Sequence, residues 1–246
     1  MSFEALLRSS PALYVLGLTA TPIRRDGQQP IIFMQCGPIR HTAARPASAP
    51  HDLSVRPRML SGPIIVPEGS GIQEVFRRLA NNAQRTAAIV NAVVQAYRQG
   101  RKVLVLTQRT EHVETLDVAL KEQIVNLFTL HGRMAKKRRA SLISTLDSLP
   151  EEAPRVLLAT GTLIGEDFDH PALDTLVLAM PISWRGILQQ YAGRLHRGHT
   201  AKSDVQVIDF VDEGNVAVLR MWEKRKAGYN AMGYRLVDSS SSRSLL

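Results

Sequence analysis

At 246 residues and 44% hydrophobic content, the chain holds enough apolar material for an ordinary globular core. Its formal net charge of +9 and pI of about 10.1 favour a polyanionic partner. Cys36 is the only cysteine, which excludes an intramolecular disulfide framework and a cysteine-rich zinc site. A reducing, cytoplasmic setting is expected. The opening run "ALYVLGLTA" after Arg8 imitates a secretory signal, but Glu4 stands where positive charge belongs, and no run approaches the length of a membrane span.

Residues 3–9 can form a short helical turn, and "ALYVLGLTA" reads as a buried parallel strand that Pro22 and "RRDGQQP" end abruptly. Composition then shifts to Pro, Ala, Ser and Arg, so 45–71 reads as a linker with one extended segment near Ile64 to Val66. Beyond it the pattern alternates. A helical period over 72–99, closed by Gly100, precedes the strand "KVLVLTQ". A helix "TEHVETLDVALKEQ" follows, with Thr110 as its cap. Next come the strand "VNLFTL", the helix "MAKKRRASLISTLDSL", and the strands "RVLLAT" and "LDTLVLAM". The helix "WRGILQQYAGRLHR" and the strand "DVQVIDFV" complete the array, before a last helix over 214–230. Such βαβ alternation predicts an α/β fold, a parallel sheet with helices on both faces. The serine-rich end, 239–246, is expected to be a disordered tail.

Ligands of such sheets bind outside the carboxyl ends of the strands. The loops to inspect are therefore "TATPIRRDG", "TQRTEH", "ATGTLIGEDFDHP" and "MPISWRG". Within the helix that follows the last of these, "QQYAGRLHR" puts Gln190, Gly193, Arg194 and Arg197 on one side. Leu188, Tyr191, Ala192 and Leu195 form an apolar stripe on the other. A flat glycine patch flanked by two guanidiniums suits phosphate; a solvated basic face is the plainer alternative.

These segments, in this order, resemble the motifs of superfamily 2 helicases of the DEAD/DEAH type. "LTATP" resembles motif III, "VLVLTQRTEH" motif IV, "LATGTLIGEDFDHPALDTLVLAMP" motif V and "QQYAGRLHR" motif VI. "GLTATPIRRDG" and "PIIFMQCGPIRH" resemble bacterial helicases of restriction-like conflict systems. The resemblance implies two RecA-like lobes closing on ATP and Mg²⁺, with nucleic acid, DNA favoured over RNA, running across both. No G-x-x-x-x-G-K-[ST] occurs in the sequence, and no Asp-Glu box precedes Thr19. The expected organisation is therefore a trailing fragment of lobe one (1–44), the linker (45–71) and lobe two (72–238), working with a missing or separately encoded first lobe.

By the same resemblance, Arg197 is the arginine finger, Arg194 a second phosphate contact, and Gln190 the group that positions phosphate or water. Asp169 approaches the ATP ribose, with Glu166 and Gly193 beside the nucleotide. Thr160 and Gly161 hold a nucleic-acid phosphate, and Thr107, Arg109, His131 and Gly132 contact the same strand. Thr19 and Thr21 link hydrolysis to movement, against a simpler role in capping the strand end. The family has glycine where Asp167 stands, and an added negative charge there opposes phosphate binding. Glu166, Asp167, Asp169 and His170 could be read as a metal cluster, but adjacent acids on a loop are more commonly solvated, and no metal is expected. Lys136, Lys137, Arg138 and Arg139 read as a solvated helix start, and Trp184 as packing for the arginine helix. Two other readings stay open: a non-catalytic nucleic-acid-binding module derived from a helicase, and an unrelated Rossmann-like enzyme, for which no glycine fingerprint is found.

Overall fold

A computed structural model describes residues 5, 9–19, 29–43, 50–132, 134–161, 170–182, 185–196 and 202–237, with the backbone alone at 185–187. The chain divides into two units, Met1–Ala47 and Ser48–Leu246.

In the first unit a helix, α1, runs Gln29–Cys36. Gly17 lies against it, and a Cβ there would stand 3.1 Å from the Cys36 Cβ and Sγ. The run expected as a buried strand forms none over its described residues 12–19, and Leu13 and Tyr14 are 92% and 91% exposed. A parallel strand needs neighbours and cover on both faces. Among its described residues this unit provides no second strand.

The second unit is built on seven strands: β1 (Asp52–Leu60), β2 (Lys102–Thr107), β3 (Leu127–Leu130), β4 (Arg155–Thr160), β5 (Thr175–Leu178), β6 (Asp204–Asp212) and β7 (Arg235–Leu236). They lie in the order β3-β4-β2-β5-β6-β1-β7, all parallel. The helices are α2 (Ile72–Ala80), α3 (Ala83–Arg98), α4 (Thr110–Leu120), α5 (Lys136–Asp147), α6 (Arg185–Leu195) and α7 (Val216–Ala231). The sheet is the parallel array expected from the alternation, and agrees with the RecA-like fold that the resemblance implies.

Period-two alternation sorts the apolar residues onto two faces. Leu104 and Leu106 of β2, with Leu157 and Ala159 of β4, pack with Leu188, Ala192 and Leu195 of α6 and Trp222 of α7. Val103, Val105, Val156 and Leu158 pack on the other face with Ile89 and Val93 of α3 and Leu116 of α4.

Four local expectations need correction. The strand β1 lies inside the stretch read as a linker. Leu53 and Val55 carry its buried side, while Arg56 and Arg58 make it look too polar for a strand. Its Pro57 is tolerated because odd-numbered residues here turn their backbone groups away from β6. Val55 O accepts from Val237 N at 2.8 Å on the β7 side, and Leu60 O accepts from Glu213 N at 3.0 Å on the β6 side. Pro57 therefore lacks an N–H where β7 has already ended. The segment around Ile64 and Val66 forms no strand and packs instead as partly buried cover for Phe76 and Leu79. The single helix expected over 72–99 is two, because the Asn82 side chain accepts from Arg85 N at 2.9 Å and starts α3 afresh. Finally, Thr110 is the first residue of α4 rather than its cap; Arg109 occupies the cap position with no side-chain bond. Among the described residues, no helix is long and apolar enough to cross a membrane.

Candidate functional site

An all-parallel sheet gathers the carboxyl ends of its strands at one rim. Along it β3, β4 and β2 are consecutive, so His131 and Gly132, then Thr160 and Gly161, then Gln108 and Arg109 follow one another at neighbouring strand ends. Adjacent strands lie about 4.8 Å apart, which puts the three ends within roughly 10 Å. Thr107 and Thr160 are register partners and stand at the same height. The next strand along, β5, leads through 179–182 into α6, so the arginine-bearing helix starts from the neighbouring position.

The residues of this rim differ in what they offer. Gly132 is exposed, and His131 is half-buried with its Nδ1 lacking a partner. The side chain of Arg109 reaches Glu111 at 3.6 Å and remains partly exposed. Thr107 is buried, and its hydroxyl shares a 2.9 Å hydrogen bond with His112 Nδ1, so that oxygen is engaged beneath the rim. Thr160 is buried at the end of β4. At Gly161 a side chain would have to displace the Tyr191 phenol of α6, which a Cβ there would run into. The strand-end glycine and the arginine helix are thus packed directly together. Burial raises the pKa of the Tyr191 hydroxyl, which stays protonated at neutral pH.

On α6 the expected faces are separated as the 3.6-residue period requires. Leu188, Tyr191, Ala192 and Leu195 are buried; Gln190 is exposed, and Gly193 and Arg194 are half-buried on the outer side. Beyond its own helix, nothing among the described residues lies within 4 Å of a Cβ built at Gly193. Its missing side chain therefore answers no packing demand among the described residues, although glycine inside a helix costs about 1 kcal/mol relative to alanine. Just beyond α6, His196 Nε2 and the Tyr234 hydroxyl are hydrogen-bonded at 2.8 Å, with their rings 5.4 Å apart.

Two buried arginines, neither of them singled out from the sequence, hold the segment that enters α6. Arg85 of α3 donates from Nη1 to Ala179 O at 2.6 Å and from Nε to Asp212 at 3.0 Å. Arg225 of α7 donates from Nη1 to Ile182 O at 3.0 Å and forks onto Asp209 at 2.7 and 2.9 Å. Gln108 adds a third hold, donating to Pro181 O at 3.3 Å. The available signal was the pair of acids, Asp209 and Asp212, in the otherwise apolar run "VIDFVD", since a buried carboxylate implies a buried cation.

Thr19 is at the exposed end of the described segment 9–19 in the first unit. Arg197, Asp169, Glu166 and Thr21, together with Asp167 and Trp184, lie outside the described residues. His170 places Nδ1 3.0 Å from Asp147 and Nε2 3.3 Å from Arg155, so both ring nitrogens are engaged. Among the described residues no group of three or more His, Cys, Asp or Glu is assembled to hold a metal.

His112 gives this rim a pH dependence. Burial, and then the charge of Arg85, push its imidazole down to about 4, against about 6.5 in an unfolded chain. Below pH 6.5 the unfolded chain takes up a proton that the folded chain refuses. The contribution is therefore complete above pH 6.5 and lost as pH falls toward 4. On the order of 3 kcal/mol of acid destabilisation is expected across that window, measured by urea unfolding at several pH values. His112→Asn keeps a polar group for Thr107 but should lack this component; an unchanged difference between pH 7 and pH 4 would count against it.

Residues 84–199 match the family described as the helicase conserved C-terminal domain. Along 99% of its length the chain is 26% identical to the probable helicase D10 of Escherichia phage T5, of which it spans 53%. It is 35% identical over 102 residues to the uncharacterized protein 108L of Invertebrate iridescent virus 3, covering 91% of that protein. Among solved structures, phage T4 UvsW superposes on 76% of this chain and 41% of its own with a TM-score of 0.61 at 15% identity. The C-terminal domain of the DEAD-box protein Dbp5 superposes on 77% of this chain, with 91% of that domain covered, at a TM-score of 0.52 and 14% identity. These last two likenesses concern the fold alone. The chain spans about half the length of the helicase relatives it matches.

Proposed function

We propose that the chain, whose residues 84–199 match the helicase conserved C-terminal domain, supplies the second RecA-like half of an ATP-dependent superfamily 2 nucleic-acid helicase or translocase. The observation that carries the proposal is the joining of two surfaces. A row of strand-end residues, His131, Gly132, Thr160, Gly161 and Arg109, is packed through Gly161 and Tyr191 onto a helix whose outer side presents Gln190, Gly193 and Arg194.

In this reading the row holds the backbone of a nucleic-acid strand, chiefly through main-chain groups and Arg109, with Thr107 bracing the rim from below. The outer side of α6 forms one wall of a nucleotide site. Its donors fit phosphate: Arg194 offers a permanently charged fork, Gln190 an amide, and Gly193 leaves room for close approach. Arg197, three residues beyond Arg194, is proposed as the arginine finger, with Asp169 and Glu166 beside the nucleotide and Thr19 and Thr21 coupling hydrolysis to movement. ATP with Mg²⁺ supplies the phosphoryl group whose transfer is driven. The P-loop and acid pair that grip its β-phosphate and metal belong to a first lobe acting with this chain. Exposed Leu13, Tyr14, Leu16 and Leu18 support such a partner, since an apolar run of that kind belongs inside a sheet. DNA is the proposed strand, following the resemblance to conflict-system helicases, and the cytoplasm the proposed setting.

The experiment has two parts. The purified chain should bind single-stranded DNA in a salt-sensitive way and hydrolyse no ATP. Adding a first lobe with an intact P-loop and acid pair should bring turnover that DNA stimulates more than RNA. Turnover by the chain alone, or failure to bind either nucleic acid at low salt, would sink the proposal. Binding that no first lobe ever converts into turnover would favour the non-catalytic module instead.

A further inference from the structure

On the sheet face covered by α3 and α4, the helical layer stops at α3, and a groove of about 720 Å³ opens between that helix and β1. We propose that this groove binds an extended acidic peptide segment of a partner protein, laid along α3. The inference does not depend on nucleotide chemistry.

Charge complementarity carries it first. No carboxylate lines the groove, whereas Arg58 of β1 and Arg98 of α3 both do, and neither forms an ion pair among the described residues. Arg85, Arg101, Arg225 and Arg235 of the same unit are all paired with acids. Two unpaired guanidiniums over a partly apolar floor of Leu60 and the 47%-exposed Met59 suit a ligand bearing carboxylates and aliphatic side chains together.

The amides say how the ligand runs. Asn91 and Gln95 of α3 and Gln99 at its C-terminal cap are exposed at intervals of four residues, and none of their side chains forms a hydrogen bond among the described residues. Four residues of helix rise about 6 Å. In an extended chain, main-chain groups on one side recur every two residues, at roughly 6.6 Å. A row of side-chain amides thus matches the repeat of a peptide backbone and can donate to its carbonyls and accept from its N–H groups. The edge of β1 is the poorer place for added main-chain pairing, since Pro57 puts no donor there. A nucleic-acid strand fits less well, because the ring lining the groove, Phe210, is 1% exposed and gives bases nothing to stack on.

The test is fluorescence anisotropy of a fluorescein-labelled peptide of about nine residues, alternating leucine and aspartate, titrated with the whole chain. Saturable binding on the order of tens of micromolar, weakening with salt, is expected. The double variant Arg58→Glu/Arg98→Glu should weaken it at least about tenfold, while a labelled oligothymidine of about twelve nucleotides binds as before. Gln95→Trp, which fills the groove without touching the charges, should also abolish peptide binding with an unchanged melting temperature, so loss of fold cannot account for the result. Absence of saturable binding, equal affinity in the double variant, or displacement of the peptide by the oligonucleotide would each overturn the proposal.

Discussion

Asp209→Ala is expected to destabilise the second unit by about 3–5 kcal/mol, the range for removing one member of a buried ion pair. Asp209 and Arg225 are each 1% exposed. The carboxylate takes two donors from the guanidinium and a third from the Tyr229 hydroxyl at 2.8 Å. Alanine leaves a permanently charged group without water or a counter-ion and leaves the Tyr229 hydroxyl without its acceptor. Total stabilities of such domains run to about 5–15 kcal/mol, so the variant should sit close to unfolding at room temperature. Urea unfolding with linear extrapolation gives the number. Replacing both partners, Asp209→Leu with Arg225→Met, should recover much of the loss because no charge is then stranded. A single-variant cost below about 1 kcal/mol would mean that water or another group compensates Arg225, and the buried pair would lose its assigned role. The damage should extend to α6, since Arg225 also holds the Ile182 carbonyl three residues before that helix begins.

Arg197→Ala should lower ATP turnover by about 10³-fold or more when the chain works with a first lobe, while DNA binding without nucleotide stays near its native value. Phosphoryl transfer asks the protein mainly for charge placed where charge develops. A factor of that size corresponds to about 4 kcal/mol of transition-state stabilisation. Arg197→Lys should rescue little, because an ammonium presents a point charge rather than a planar fork. Single-turnover rates separate this from a binding defect: a finger affects the chemical step and changes nucleotide affinity less. An unchanged rate would remove the assignment and leave Arg194, on the outer side of α6, as the next candidate.

The helical and strand periods carried most of the second unit. Strands β2, β4 and β6 and helices α6 and α7 lie within one or two residues of where alternation and the 3.6-residue stripe place them. Leu188, Tyr191, Ala192 and Leu195 illustrate why: four apolar residues on one helical stripe have a single way to leave water together. The misses have equally local causes. At Asn82 the helical period continued across a cap that only the bond to Arg85 N reveals. In β1, Arg56, Pro57 and Arg58 hid a strand whose partner, β6, begins at Asp204, 144 residues beyond the end of β1 at Leu60. In the run 12–19, hydrophobicity alone suggested a strand, but pairing needs a neighbour. The candidate site was legible as separate loops and not as a surface.

By itself, the sequence determined the α/β class, the apolar stripe of α6 and the order of the chemically loaded loops, because these depend on spacing along one chain. Only the tertiary structure decided that the ends of β3, β4 and β2 lie side by side, that Gly161 meets Tyr191, and that Asp209 and Asp212 are matched to Arg225 and Arg85. Those outcomes rest on strand order and on which charge is buried beside which. Neither is encoded by local period, since each is settled by contacts between residues far apart in the chain.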